Sequence, residues 1–253
     1  MGPVRNAHHP SRLPIMLVAA AVCPSPPLLV PDVATGAARE LDAARAACAD
    51  AVGLLAAARP DRLYVVGAAP EGGHGVYPAG SPGSFAGFGV DLGVRLGEGR
   101  PADGDARLLP ASLAVAAWLL DRARWAAAPV EGLAVDETAT PDVCAGLGRG
   151  LADSAERVAL LVMGDGSACR TVKAPGYLDE RAEGFDEAAA RALGTADVAA
   201  LLALDPELAY ELKAAGRAPW QVLAGAAEGA GLDGRLLFED APYGVGYFVA
   251  AWS

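Results

Sequence analysis

Histidine is nearly missing from this 253-residue chain: there are three, and His8 and His9 stand side by side in a proline-containing leader. His74 is then the one imidazole of the globular part, and a site that requires two cannot be built without the leader. Cysteine is equally sparse. Cys23, Cys48, Cys144 and Cys169 are too scattered for a disulfide framework, and no C-x-x-C pair is present, which removes zinc ribbons and thioredoxin-type sites. Basic residues are in deficit, 20 Lys+Arg against 31 Asp+Glu, and the net charge of −11 argues against nucleic acid and anionic membrane surfaces as partners. No apolar run approaches the ~18 residues of a membrane span. Nucleotide motifs are absent too: there is no G-x-x-x-x-G-K-[ST], and Gly87, Gly89 and Gly93 miss the G-x-G-x-x-G spacing. Ser167 lies in Gly-Asp-Gly-Ser-Ala rather than G-x-S-x-G, so the serine-hydrolase elbow is missing as well.

What the chain has in abundance is alanine, 58 of 253 residues, within a hydrophobic content of 53%. With only 20% charged residues the composition is that of a folded protein, whose core uses fewer large side chains than its hydropathy suggests. The length fits one large domain, expected over residues 16–253 after a flexible leader at 1–15. Arg5, Arg12 and the apolar run from Ile15 to Val22 before Cys23 loosely imitate a lipoprotein signal. The run is short and Pro24, Pro26 and Pro27 follow at once, so a cytoplasmic protein starting at Met16 is the expectation.

Strands are expected at 16–23, 63–67, 90–96, 130–135, 157–163, 235–239 and 245–251. Helices are expected at 36–58, 110–125, 141–154 and, in several pieces, across 177–231, with Thr195 and Asp205-Pro206 opening helices and Gly194 and Gly216 closing them. The segment from Glu71 to Gly89 reads as a long Gly/Pro/Ser loop. Gly146, Gly148 and Gly150 fall inside a helix and read as packing features. Strands alternating with helices imply an α/β protein: a three-layer α/β/α sandwich with a mostly parallel, mixed central sheet.

Ligands of open α/β sheets gather at the carboxyl ends of the strands. Three exits therefore hold the candidate residues: Cys23 and Ser25; Ala69 and Glu71; and Asp165, Ser167 and Cys169. Asp165 and Cys169 are the candidate catalytic groups, and Tyr243, in the closing turn, is a further pocket residue. A thiol site of Cys23, Cys169 and His74 would suit zinc or Cu(I).

Residues 17–31, with Cys-Pro-Ser-Pro-Pro at their centre, resemble the first strand and loop of class III extradiol ring-cleavage dioxygenases in their catalytic B-subunit form. The likeness continues in order through 160–186, including Met-Gly-Asp-Gly-Ser-Ala-Cys-Arg. It then runs through Leu201 to Leu208, Pro219-Trp220 and the ending Ala-Pro-Tyr-Gly-Val-Gly-Tyr at 241–247. It covers nearly the whole chain from Met16 and is nearest an actinobacterial branch, distantly similar to Memo-type proteins. The resemblance implies a phosphorylase/hydrolase-like α/β/α sandwich and, in active relatives, Fe(II) held by two histidines and one carboxylate with a further acid/base histidine.

At the matching positions this chain departs from the pattern. The first ligand position is Ser25, the second falls on Ala68, Ala69 and Pro70, and the acid/base position is Cys169. No carboxylate occurs from Gly216 to Pro219, where the third ligand belongs, and Glu211 is the nearest. The expectation is a descendant without the iron triad and with no cofactor, binding a small molecule or a partner protein at the strand exits, with a homodimer the default assembly. The alternatives are a ferrous dioxygenase acting on a catechol-type aromatic through other ligands, the thiol-metal site, or a scaffold.

Overall fold

Met16–Cys23, eight residues without a charged side chain, form the interior strand β1 of the computed structural model, which describes residues 16–70, 72–101 and 107–253. The leader at 1–15 and Glu71 lie outside the described residues. The apolar run that imitates a signal sequence is thus spent on the sheet. Arg62–Ala69 (β2), Val130–Asp136 (β6) and Arg157–Met163 (β7) are the other parallel strands. Gly75–Tyr77 (β3), Gly234–Asp240 (β8) and Tyr247–Trp252 (β9) add antiparallel edges, giving one seven-stranded sheet of order β3-β6-β2-β7-β1-β9-β8. Pro82–Ser84 (β4) and Gly93–Arg95 (β5) pair separately as a small two-stranded sheet.

The strands differ from the sequence reading in and just after the Gly/Pro/Ser segment. The loop 71–89 contains β3, whose Tyr77 is buried while Val76 is exposed, the alternation of an edge strand covered on one face. The strand expected at 90–96 shrinks to β5, because Gly89 adopts a left-handed φ of 83° and breaks the extended run just before it.

Helices cover both faces. Asp42–Ala57 (α2), continuing a short helical stretch that begins at Pro31–Ala34 (α1), and Ala111–Arg122 (α3) pack on one side with Ala19, Ala21, Cys23, Leu161 and Met163. Pro141–Ala152 (α4), Arg181–Thr195 (α5), Val198–Leu202 (α6), Pro206–Glu211 (α7) and Arg217–Ala226 (α8) pack on the other with Ala20, Val22, Leu160 and Val162. The architecture is a three-layer α/β/α sandwich. Asp197 and Asp205 cap α6 and α7 through the amides of Ala200 and Glu207, both at 2.9 Å, and Pro141 and Pro206 sit where no donor is missed. Thr195 ends α5 rather than opening a helix, and Gly216 precedes α8 rather than closing one.

Small residues let the second layer pack tightly. A Cβ at Gly148 of α4 would collide with the backbone of Val222 and Ala226, and one at Gly225 of α8 with the backbone of Ala145. These two helices touch main chain to main chain, while Gly146 and Gly150 have room around them. Trp252 closes the sheet edge, its indole N–H donating to Leu193 O at 2.7 Å.

Candidate functional site at the strand exits

Strands β6, β2, β7 and β1 are parallel neighbours, so Asp136, Ala69, Met163 and Cys23 end along one edge of the sheet. After β7 the chain turns through Gly164-Asp165-Gly166. Gly164 N–H donates to Cys23 O at 3.0 Å, and Ser25 N–H donates to Asp165 Oδ1 at 2.8 Å, which joins the exits of β7 and β1. Gly216 N–H donates to Asp165 O at 2.8 Å; a Cβ on Gly164 would collide with Gly216, and one on Gly216 with Asp165 O and the Trp220 ring. The segment where the resemblance places a carboxylate ligand therefore does reach this loop, but offers it backbone alone. Glu211 points its carboxylate to Arg181, 2.7 Å away, at the surface.

Asp165 keeps some solvent contact, yet protein surrounds it closely enough that burial pushes its carboxyl up to about 7, against the pull of the Ser25 N–H. Such a group gives and takes a proton at neutral pH. Beside it stands Tyr247, whose ring is 2% exposed. Its hydroxyl is driven well above the usual phenol range, first by burial, then by the negative charge of Asp165 and by Tyr243. Among the described residues, no side chain or amide bonds the Tyr247 hydroxyl, the Ser25 hydroxyl or the second Asp165 oxygen. Half-buried Tyr243 donates its hydroxyl to Glu40 Oε2 at 2.8 Å, and burial followed by that bond raises its own pKa.

A second carboxylate, 21 positions on, serves architecture. Asp186 is wholly buried and accepts from Ser167 N–H at 2.7 Å, Ser167 Oγ–H at 2.9 Å and Arg170 Nη1 at 3.2 Å. Gly166 and Gly246 form its cradle, since a Cβ at either would press on the carboxylate. Gly166 N–H to Gly246 O (2.7 Å), Gly246 N–H to Ser167 O (2.9 Å) and Arg170 N–H to Gly244 O (3.0 Å) lace the β7 loop to the β9 entry. Sequence reading passed over Asp186. Its signal was an acidic residue on the apolar face of α5 among Ala182, Phe185, Ala189 and Ala190.

The remaining sequence candidates do not gather here. Ser167 is sealed against Asp186 and lines no open space. Cys169, 2% exposed, faces the α5–α8 layer with its thiol 3.5 Å from Leu212 O, and burial raises its pKa. Cys23 faces the opposite layer, fully buried against Cys48, which that contact and burial push well upward. His74 is exposed beyond β6, at the β3 edge. The three groups of the thiol-metal reading thus lie on opposite faces and a distant edge of the sheet. Ala69, 1% exposed, presents a methyl at the β2 exit. The donors at the family positions, a hydroxyl, methyls and a sequestered thiol, do not fit a ferrous triad. Among the described residues no three His, Cys, Asp or Glu side chains come together. A cavity of about 800 Å³ lies elsewhere, between β4–β5 and the end of α3, with Arg95, Arg124 and Trp125 in its walls.

Neither a protein-family model nor a curated protein matches the sequence. The structure is similar to the crystal structure of the uncharacterized protein JW3007 from Escherichia coli K12, with a TM-score of 0.53 and 14% identity over 93% of this chain and 99% of that one. That likeness concerns the fold alone.

Proposed function

We propose that this protein is a metal-independent descendant of the class III extradiol dioxygenase superfamily that binds a small molecule at the strand exits. The observation that carries the reading is the junction of Ser25 and Asp165. It lies at the exits of adjacent parallel strands, where the resemblance places the iron centre, with polar groups free to meet a ligand and, among the described residues, no imidazole beside them. Buried Tyr247 opens β9 beside β1 and so comes to the same end of the sheet, with half-buried Tyr243 just before it in the chain. The reading assigns it to the cytoplasm, and among the described residues no helix is long and apolar enough to cross a membrane.

Elemental analysis of untagged, anaerobically purified protein beginning at Met16 tests this directly. Substoichiometric iron, zinc and copper, with a melting temperature unmoved by chelator, is the expected result. Iron near one per chain would overturn the reading and make catechol ring cleavage the leading activity. Zinc or copper at that level would equally overturn the metal-independent reading.

A further inference from the structure

Two carboxylates in the same loop system are treated in opposite ways. Asp186, inaccessible to solvent, receives three donors, one of them a guanidinium. That is how a buried carboxylate with a structural task is accommodated. Among the described residues Asp165 receives one, the Ser25 amide, and no Arg, Lys or His offsets its charge. Removing a carboxylate from water without a countercharge is costly, and the fold gains no bridging contact from this side chain beyond that one bond. The cost is explained if the missing partner arrives with a ligand.

The chemistry of the surroundings says which ligand. The second Asp165 oxygen can only accept while ionised, and the Tyr247 and Ser25 hydroxyls can accept as well as donate. The nearest N–H donor, that of Ser25, is already committed to Oδ1. Tyr243 has turned its own proton outward to Glu40, which leaves its oxygen as an acceptor and adds a second carboxylate at the rim. The site is rich in acceptors, poor in donors, aromatic on one wall and set in a chain of net charge −11. A donor-rich cation of low hydration fits it better than a divalent metal, because among the described residues fewer than three side chains able to ligate converge.

We infer that the strand-exit site takes an organic ammonium, its N–H groups shared between Asp165 and the Tyr247 and Ser25 hydroxyls. This rests on the small-molecule reading above and narrows it. Cation–π attraction to tyrosine adds to the carboxylate contact. Among the described residues Asp165 is met by uncharged Ser25 after β1, and Tyr247 at the start of β9 feels its charge, so below the phenol range the carboxyl alone sets the pH response. Ammonium affinity follows its ionised fraction and rises about tenfold between pH 6 and pH 8 for a carboxyl near 7, while an alkylammonium stays protonated throughout.

The test is calorimetric titration with tyramine, and with 4-ethylphenol as its neutral counterpart, at pH 6, 7 and 8. Tyramine is expected to bind and to tighten about tenfold over that range, with 4-ethylphenol at least about tenfold weaker at pH 8. In Asp165→Asn the pH dependence disappears and tyramine falls to the level of 4-ethylphenol. Tyr247→Phe, which removes one oxygen, weakens tyramine several-fold and keeps the pH dependence. Equal binding of both probes would overturn the ammonium inference and leave the small-molecule reading standing. Absence of binding by tyramine at millimolar concentration, with circular dichroism showing a folded protein, would overturn the inference. Binding of Mg²⁺ or Ca²⁺ lost in Asp165→Asn would replace the ammonium by a metal cation and overturn both readings.

Discussion

Replacing Asp165 by asparagine is expected to make the protein more stable at neutral pH, by an amount that itself depends on pH. The carboxyl titrates at about 7 in the folded protein against 3.8 when unperturbed. An acid whose folded pKa is raised binds its proton more tightly in the native state. Wild-type stability from this group is therefore fully present below 3.8, declines as the pH climbs, and is lost above about 7. At about 1.4 kcal/mol per unit the shift amounts to about 4 kcal/mol, and the solvent contact Asp165 retains trims this to about 2–4 kcal/mol. Asparagine keeps an oxygen for the Ser25 N–H but carries no charge, so it escapes the loss. Urea denaturation of both proteins gives the stability difference, expected to be close to zero near pH 4, to grow through pH 5–7 and to level off by about pH 8. The difference is the right quantity because Asp136 and Asp179, lowered by hydrogen bonds from Thr138 and Arg181, impose the opposite slope on both proteins and cancel. A difference that stays flat from about pH 5 to pH 8, or a variant less stable than wild type at the upper end, would refute the reasoning.

Asp186→Ala leaves the Ser167 amide and hydroxyl and the Arg170 guanidinium without their shared acceptor, so a loss of about 3–5 kcal/mol is expected. A loss under about 1 kcal/mol in the same urea assay would mean that the network does not brace the loop. In α4, Gly148→Ala drives a methyl into the α8 backbone and should cost about 1–3 kcal/mol, whereas Gly146→Ala meets open space and should gain about 0.5–1 kcal/mol from helix propensity. Equal effects of the two substitutions would contradict the backbone contact between these helices.

The layer order was legible because buried parallel strands write themselves as short apolar runs. Met16–Cys23, Arg62–Ala69, Val130–Asp136 and Arg157–Met163 all do so, and Pro110, Pro141 and Pro206 mark where helices begin. What failed was local and weakly patterned. β3 is three residues long and is held by its pairing to β6, a contact no local pattern announces. Gly216 reads as a helix stop from its neighbours alone. It is glycine because a Cβ there would meet Asp165 O, brought from the distant β7 loop, and the Trp220 ring one turn on.

The site shows the same division between local and distant causes. Reading along the chain pointed to Ser25, Asp165, Ser167 and Cys169 as small polar residues at strand exits, and the structure separates them by which face of the sheet each one meets. Ser167 and Cys169 follow Asp165 by two and four positions, yet Asp186 seals one and the α5–α8 layer buries the other. Asp165 differs from them through contacts 140, 51 and 82 positions away, with Ser25, Gly216 and Tyr247 respectively. None of the three changes what residue 165 looks like in its own neighbourhood. Together they draw a carboxylate largely away from water, and among the described residues no cationic side chain accompanies it. With no Arg, Lys or His among the described residues to offset it, the charge on Asp165 is either a defect or half of a recognition pair. Asp186 argues for the second: the same chain, 21 positions later, surrounds a buried carboxylate with three donors when structure is all that is required of it.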